Sequence, residues 1–198
     1  MNSSSLYFDR AAGSYAARSG RWPWSLLRRR EEAAVLELLA PRAEERIADA
    51  ACGAGHYAAI LQGRGCDVVG IDRSPAMTGA AKDRGLTVLT AEITEAGFKK
   101  EFDAVVCAGG IEFNTDPVPL FKSFSKWLKP AGRLVLLYPG GAFRFAYETY
   151  HSWTGTPVTF HSGENLMEAA QGAGLRFVRG LTAGLLARAV LFEREALP

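Results

Sequence analysis

Residues 46–72 read RIADAACGAGHYAAILQGRGCDVVGID. An apolar start at Ile47 and Ala48 runs into Asp49, and a loop of small residues follows from Ala50 to Gly55. The pattern turns helical from His56 to Leu61. A short β-rich run from Cys66 to Ile71 then ends on a lone acid, Asp72. Strand, glycine turn, helix, strand and acid together make half of a nucleotide-binding α/β fold. Gly53 and Gly55 lack a Cβ, so backbone and ligand can approach closely there. The helix beyond them offers unpaired N–H groups and a positive dipole end. An acid at the tip of the second strand is placed to accept hydrogen bonds from a ribose diol.

Two ligands fit those glycines. Gly53-Ala54-Gly55-His56-Tyr57-Ala58 satisfies the dinucleotide fingerprint with alanine in its last place. Asp49 points to a different ligand. A carboxylate ahead of the turn suits a cationic or amine-bearing molecule, whereas an anionic pyrophosphate gains nothing from it.

Downstream, Ser74-Pro75 starts a helix that runs to about Arg84 and stops at Gly85. Leu86 to Thr90 forms a third strand. Phe102 to Ala108 is a fourth, almost continuously apolar after Asp103, as a parallel strand covered on both faces would be. Asp116-Pro117 opens a helix with Leu120, Phe121, Phe124, Trp127 and Leu128 at helical spacing, a core stripe. Residues 129–133 read as a turn and Leu134 to Tyr138 as a fifth strand. Residues 140–162 are rich in aromatics and have no clean period. A helix over 164–173 ends at Gly174. Two last strands, 175–178 and 185–192, are expected to pair antiparallel at the sheet edge through a turn over 180–184.

Upstream, Pro23 stands between Trp22 and Trp24 and breaks a helix there. A helix carrying Val35, Leu36, Leu38 and Leu39 follows and stops before Pro41. Five arginines lie between Arg18 and Arg30, and two readings of them stand. They form a solvated, salt-bridged face, or with the tryptophans they grip an anionic or aromatic partner such as RNA.

The chain has 198 residues, a length that suits one α/β domain with a short extension. With 48% apolar and 22% charged residues a sizeable core is available, and a formal charge of +2 does not imply nucleic acid or membrane. Cys52, Cys66 and Cys107 match neither a metal knuckle nor a paired framework, so free buried thiols in a reducing, cytoplasmic setting are expected. The N-terminus lacks the basic start and apolar core of a secretory signal. No run of about 20 apolar residues exists, so no membrane span is expected.

Asp49 with Cys52-Gly53-Ala54-Gly55 resembles the first motif of the class I S-adenosylmethionine-dependent methyltransferases, an acid followed by three glycines at alternate places. Ala51 stands where the family has the first glycine. Leu128-Lys129-Pro130-Ala131-Gly132-Arg133-Leu134-Val135-Leu136-Leu137-Tyr138-Pro139 resembles the family's late motif. The segment from Phe8 to Tyr15 is similar to the N-terminal element of the quinone- and biotin-pathway members.

The resemblance implies a single-domain, doubly wound α/β fold over residues 46–198, with a mostly parallel seven-stranded sheet and an antiparallel edge pair. Residues 1–45 become a helical lid or extension, or a plain packing helix. S-adenosylmethionine is the implied cofactor. Asp49, Ala51, Gly53, Gly55, Asp72, Arg73, Met77, Glu92, Ile93 and Ala108 are expected around it, with Tyr15 reaching its methionine end and Glu92 beside the adenine. Trp22, Glu112, Tyr147, Tyr150, Trp153 and His161 are the candidates for the acceptor side.

Methyl transfer needs no metal, and no metal-ligand cluster is visible in the sequence. A base is needed only for a hydroxyl or carbon-acid acceptor. His151 and His161 are the candidates, with His151 nearer the ring cluster. The place after the fourth strand reads Ala108-Gly109-Gly110-Ile111-Glu112-Phe113 and lacks the Asn/Asp-Pro-Pro-aromatic motif of nucleic-acid base methylation. The expected partner is therefore a small molecule and not nucleic acid, with the protein a monomer or homodimer. The alternatives are a cofactor-binding module without catalysis, a dehydrogenase, or a methyltransferase acting on protein or RNA.

Overall fold

The computed structural model describes residues 24–140, 149, 151–152, 158–184 and 187–195. Helix α1 (Trp24–Leu39) leads into β1 (Arg46–Ala50), α2 (His56–Gln62), β2 (Asp67–Asp72), α3 (Pro75–Lys82) and β3 (Val88–Thr90). A 3₁₀ turn (Ile93–Glu95) precedes β4 (Phe102–Ala108), and a second one (Ile111–Phe113) precedes α4 (Val118–Trp127) and β5 (Leu128–Pro139). Helix α5 (Gly163–Gly172), β6 (Leu175–Ala183) and β7 (Ala187–Arg194) complete the described chain.

The strands form one seven-stranded sheet in the order β3-β2-β1-β4-β5-β7-β6. The first five are parallel, and β7 lies antiparallel between β5 and β6. Alternation along β4 shows why this strand is apolar beyond Asp103. Ala104 and Val106 pack on the face covered by α1, α2 and α3, while Val105 and Cys107 pack on the face of α4 and α5. The α4 stripe of Leu120, Phe121, Phe124 and Trp127 is buried there, with Phe124 and Trp127 edge to face at 5.8 Å between centroids.

Helix α1 is part of this body. Val35 and Leu39 are fully buried in the core that includes β1 and β5. Its C-terminal end is fastened where β5 gains its regular register, by Arg133 Nε donating to the Leu39 carbonyl at 3.2 Å. Midway along the helix, Glu32 Oε2 stands 3.4 Å from His56 Nε2 at the start of α2.

Two boundaries differ most from the expectation. The fifth strand begins at Leu128, because Leu128 already pairs with Phe102 before a register shift that absorbs residues 129–132. Ala131 takes a positive φ of 58° inside that irregularity. The edge hairpin turns later than expected, since Gly180 belongs to β6 and pairs with Val190. A Cβ on Gly180 would lie 3.1 Å from Val190 Cγ1, so this glycine marks a close approach between strands and not a turn. The left-handed turn residue is Gly184, at φ 82°.

Candidate cofactor site

The strand order reverses between β1 and β4, and in open α/β sheets ligands sit in the crevice at that point, outside the carboxyl ends of the strands. The turn after β1 is built for close approach. Ala51, Gly53 and Gly55 all take positive φ, of 59°, 53° and 80°. Gly55 has a packing reason as well, since a Cβ there would fall 2.1 Å from Leu86 Cδ1. Gly53 is different: its Cβ position meets nothing closer than Met77 Sδ at 4.0 Å. The turn is thus open on the Gly53 side and closed on the Gly55 side.

Two carboxylates hold the turn. Asp72, at the tip of β2, accepts the Gly53 N–H at 2.8 Å and the Ser74 N–H at 2.9 Å. Ser74 in turn caps α3, its Oγ accepting from the Met77 N–H at 3.2 Å. Asp49 is 2% exposed, and its Oδ2 accepts the Ala58 N–H of α2 at 2.9 Å. Burial pushes its carboxyl up to about 7; the bond from Ala58 lowers it and the neighbouring Asp72 charge raises it further. A buried acid beside a second carboxylate is a poor host for a pyrophosphate and a good one for a cationic ligand, whose arrival would favour the ionised form.

Arg73 Nη1 lies 3.7 Å from Glu92 Oε1, which joins the residue after β2 to the exposed acid after β3. Met77 and Ile93 are buried, Met77 in α3 and Ile93 in the first 3₁₀ turn. Ala108 ends β4, half-buried. The sequence-predicted cofactor residues other than Tyr15 therefore cluster on the turns that follow β1, β2, β3 and β4. Tyr15, Trp22, Tyr147, Tyr150 and Trp153 lie outside the described residues.

The acceptor-side candidates that are described gather beyond β4. Glu112 is 3% exposed, and its carbonyl accepts the Thr159 N–H at 2.7 Å. His151 is buried, edge to face with Phe113 at 6.0 Å. Burial lowers its basicity, so the imidazole is neutral at pH 7. His161 is buried too, but its Nε2 is 2.8 Å from the Asn114 carbonyl, which engages that nitrogen with the backbone. Burial raises the thiols of Cys52 and Cys107, so both stay protonated and unreactive. Among the described residues, no group of three or more His, Cys, Asp or Glu stands close enough to hold a metal ion, and no helix is long and apolar enough to cross a membrane.

Several residues of the site are invisible to sequence reading. Ser74 shows only as a helix cap, yet its N–H fixes Asp72. Gly70 reads as an ordinary strand residue, yet a Cβ there would sit 2.8 Å from Cys52 Sγ beneath the turn. Arg84 Nη1 donates to the Ala54 carbonyl at 2.6 Å and closes the turn from outside.

Residues 48–136 match the family described as Methyltransferase domain. With the sheet order and the glycine turn around that match, the chain carries a methyltransferase domain of the class I S-adenosylmethionine-dependent type. It is 29% identical over 100 residues to a ubiquinone biosynthesis O-methyltransferase of Stutzerimonas stutzeri, a match covering 46% of this chain and 43% of that protein. The chain thus matches less than half the length of this curated relative. Among solved structures, one chain from a complex that includes the Haloferax volcanii Trm112 methyltransferase activator superposes with a TM-score of 0.79, at 16% identity over 95% of this chain and 97% of that one. Geranyl diphosphate C-methyltransferase from Streptomyces coelicolor, solved with Mg2+, geranyl diphosphate and S-adenosylhomocysteine, superposes with a TM-score of 0.70, at 15% identity over 84% of this chain and 78% of that one. At such identities the two structures speak for the fold.

Proposed function

We propose that this protein transfers a methyl group from S-adenosylmethionine to a small aromatic or apolar molecule. The observation that carries the reading is the Gly53 turn tied to Asp72 at the switch point, beside the buried Asp49. When bound, the cofactor supplies an electrophilic methyl group on a sulfonium. The chain's part is to bind, orient and exclude water. In this reading Asp72 accepts from the ribose hydroxyls while still holding Gly53 and Ser74. Glu92 and Ile93 border the adenine, with Arg73 and Met77 beside it. Asp49, Ala51, Gly53, Gly55 and Ala108 surround the methionine end, with Tyr15 closing on it. Mass spectrometry of the purified protein under native conditions tests this directly. Retained S-adenosylmethionine or S-adenosylhomocysteine is the expected result, and a retained dinucleotide would overturn it.

The acceptor side is assigned to Glu112, His151 and His161, with Trp22, Tyr147, Tyr150 and Trp153 as its aromatic walls. Many rings and few charges favour a planar or apolar acceptor. His151, kept neutral by burial and edge to face with Phe113, is taken as the proton acceptor. His151→Ala is expected to lower turnover at least tenfold, about 1.4 kcal/mol, with little change in cofactor affinity. Unaltered turnover on an identified acceptor would leave positioning alone to account for the rate.

The lid role belongs to residues 1–23 in this proposal, because α1 itself is core. Removing residues 1–23 is expected to leave a folded protein that binds cofactor more weakly and turns over no substrate. Full activity in that truncated chain would reduce the segment to a tail. A monomer or homodimer working in the cytoplasm on a small molecule, and not on nucleic acid, fits this reading.

A further inference from the structure

We infer that Ala51 and Gly110 form a matched pair that sets the spacing between the β1 turn and the β4 loop, making Ala51 a positioning residue at the floor of the switch-point crevice. Ala51 follows β1 and Gly110 follows β4, and those strands are in register just below, with Ala50 opposite Cys107. Gly110 has φ −124° and ψ −27°, which an L residue adopts without the penalty of positive φ, so its backbone does not ask for glycine. Its surroundings do. A Cβ at position 110 would lie 2.5 Å from Ala51 Cβ and 3.3 Å from Cys107 Sγ. Carbon atoms pack at about 3.5–4.0 Å, so a methyl group at 110 would force the two segments apart by roughly 1 Å.

Neither segment can yield cheaply. Ala51 carries a methyl group with no rotamer to rotate away, on a backbone at φ 59°. The next residue is fixed by the Cys52 N–H donating to the Ile71 carbonyl at 3.0 Å. On the other side, the Gly109 N–H donates to the Leu137 carbonyl at 3.0 Å, and Asn114 Nδ2 donates to the Gly110 carbonyl at 3.1 Å. The chain carries alanine in the turn, where the family motif has glycine, and glycine in the loop makes room for its methyl group. The clash therefore crosses from one ligand-facing segment to the other. A substitution in the β4 loop should be felt by the cofactor turn.

The affinity part of this inference rests on the cofactor reading above; the packing part does not. A double-mutant cycle of parent, Gly110→Ala, Ala51→Gly and the double variant tests both. S-adenosylhomocysteine binding is measured by calorimetry at a temperature where each protein is folded, and Tm is measured alongside. Gly110→Ala is expected to weaken binding at least tenfold when Ala51 is present and less than threefold in the A51G background. Equal losses in the two backgrounds, or no loss in either, would overturn the pairing. If Gly110→Ala does not fold, the A51G background should restore a cooperative unfolding transition, and failure to do so also overturns it. Absence of binding by the parent protein would count against the cofactor reading, and the Tm cycle would then decide the pair by itself.

Discussion

In Asp72→Ala, affinity for S-adenosylhomocysteine falls by about 2–4 kcal/mol, roughly thirtyfold to a thousandfold. Two effects add. The variant loses the charge-assisted bonds proposed to the ribose hydroxyls. It also loses the acceptor for the Gly53 and Ser74 N–H groups, so the turn is no longer tied to β2 before the ligand arrives. Preorganisation of that kind is part of affinity, because a slack turn must be ordered on binding. Asp72→Asn keeps one acceptor oxygen and should fall between parent and Ala. Calorimetry on folded variants, verified by circular dichroism, measures the effect. Unchanged affinity in folded Asp72→Ala would remove Asp72 from the site, and tight NADH binding by the parent would favour a dinucleotide instead.

Asp49→Asn is expected to act in opposite directions on stability and on binding. Burial pushes the Asp49 carboxyl up to about 7 in the folded protein, against about 3.9 in an unfolded chain. A raised acid has its full share of stability below the unfolded value and loses it as pH rises through the folded value. Between about pH 4 and pH 7 the native state binds more protons than the unfolded one, so stability falls with pH over that window. Above it, carrying the ionised group costs on the order of 4 kcal/mol. The asparagine carbonyl can still accept from Ala58 N–H and carries no charge. Asp49→Asn should therefore be more stable than the parent by a few kcal/mol at pH 8, with the difference shrinking towards pH 4. Urea unfolding at pH 4, 6 and 8 measures it, and a difference that does not change with pH would refute this assignment. The same variant should bind S-adenosylmethionine more weakly, since the anion that suits a cationic ligand is gone. The parent should gain affinity as pH rises through about 7, where ligand charge and carboxylate ionisation support each other.

Much of this molecule was legible in the chain because the signal lies in the residues themselves. A glycine run after an apolar strand shows a turn that needs positive φ, and Gly53 and Gly55 have it. Ser74-Pro75 shows a helix start, and Ser74 caps α3. The continuous apolar run in β4 shows a strand covered twice, and its residues divide between the two faces. These are local requirements, each set by a residue's own backbone or by its nearest neighbours in sequence.

Features that depend on distant partners became visible only in the folded chain. Gly180 looks like a turn until Val190 is seen packed against it. The helix before Pro41 reads as an extension, whereas α1 fills one face of the sheet because β5, β6 and β7 need cover. Asp72 is a lone acid in sequence and a clasp in space, 19 residues from the Gly53 N–H that it holds. Nothing local in Gly110 distinguishes it from other loop glycines, because its reason is a methyl group on another strand's turn. Sequence determined the conformations that single residues demand. Tertiary structure decided which of them meet, since excluded volume and hydrogen bonding between distant segments act only once the sheet has brought those segments together.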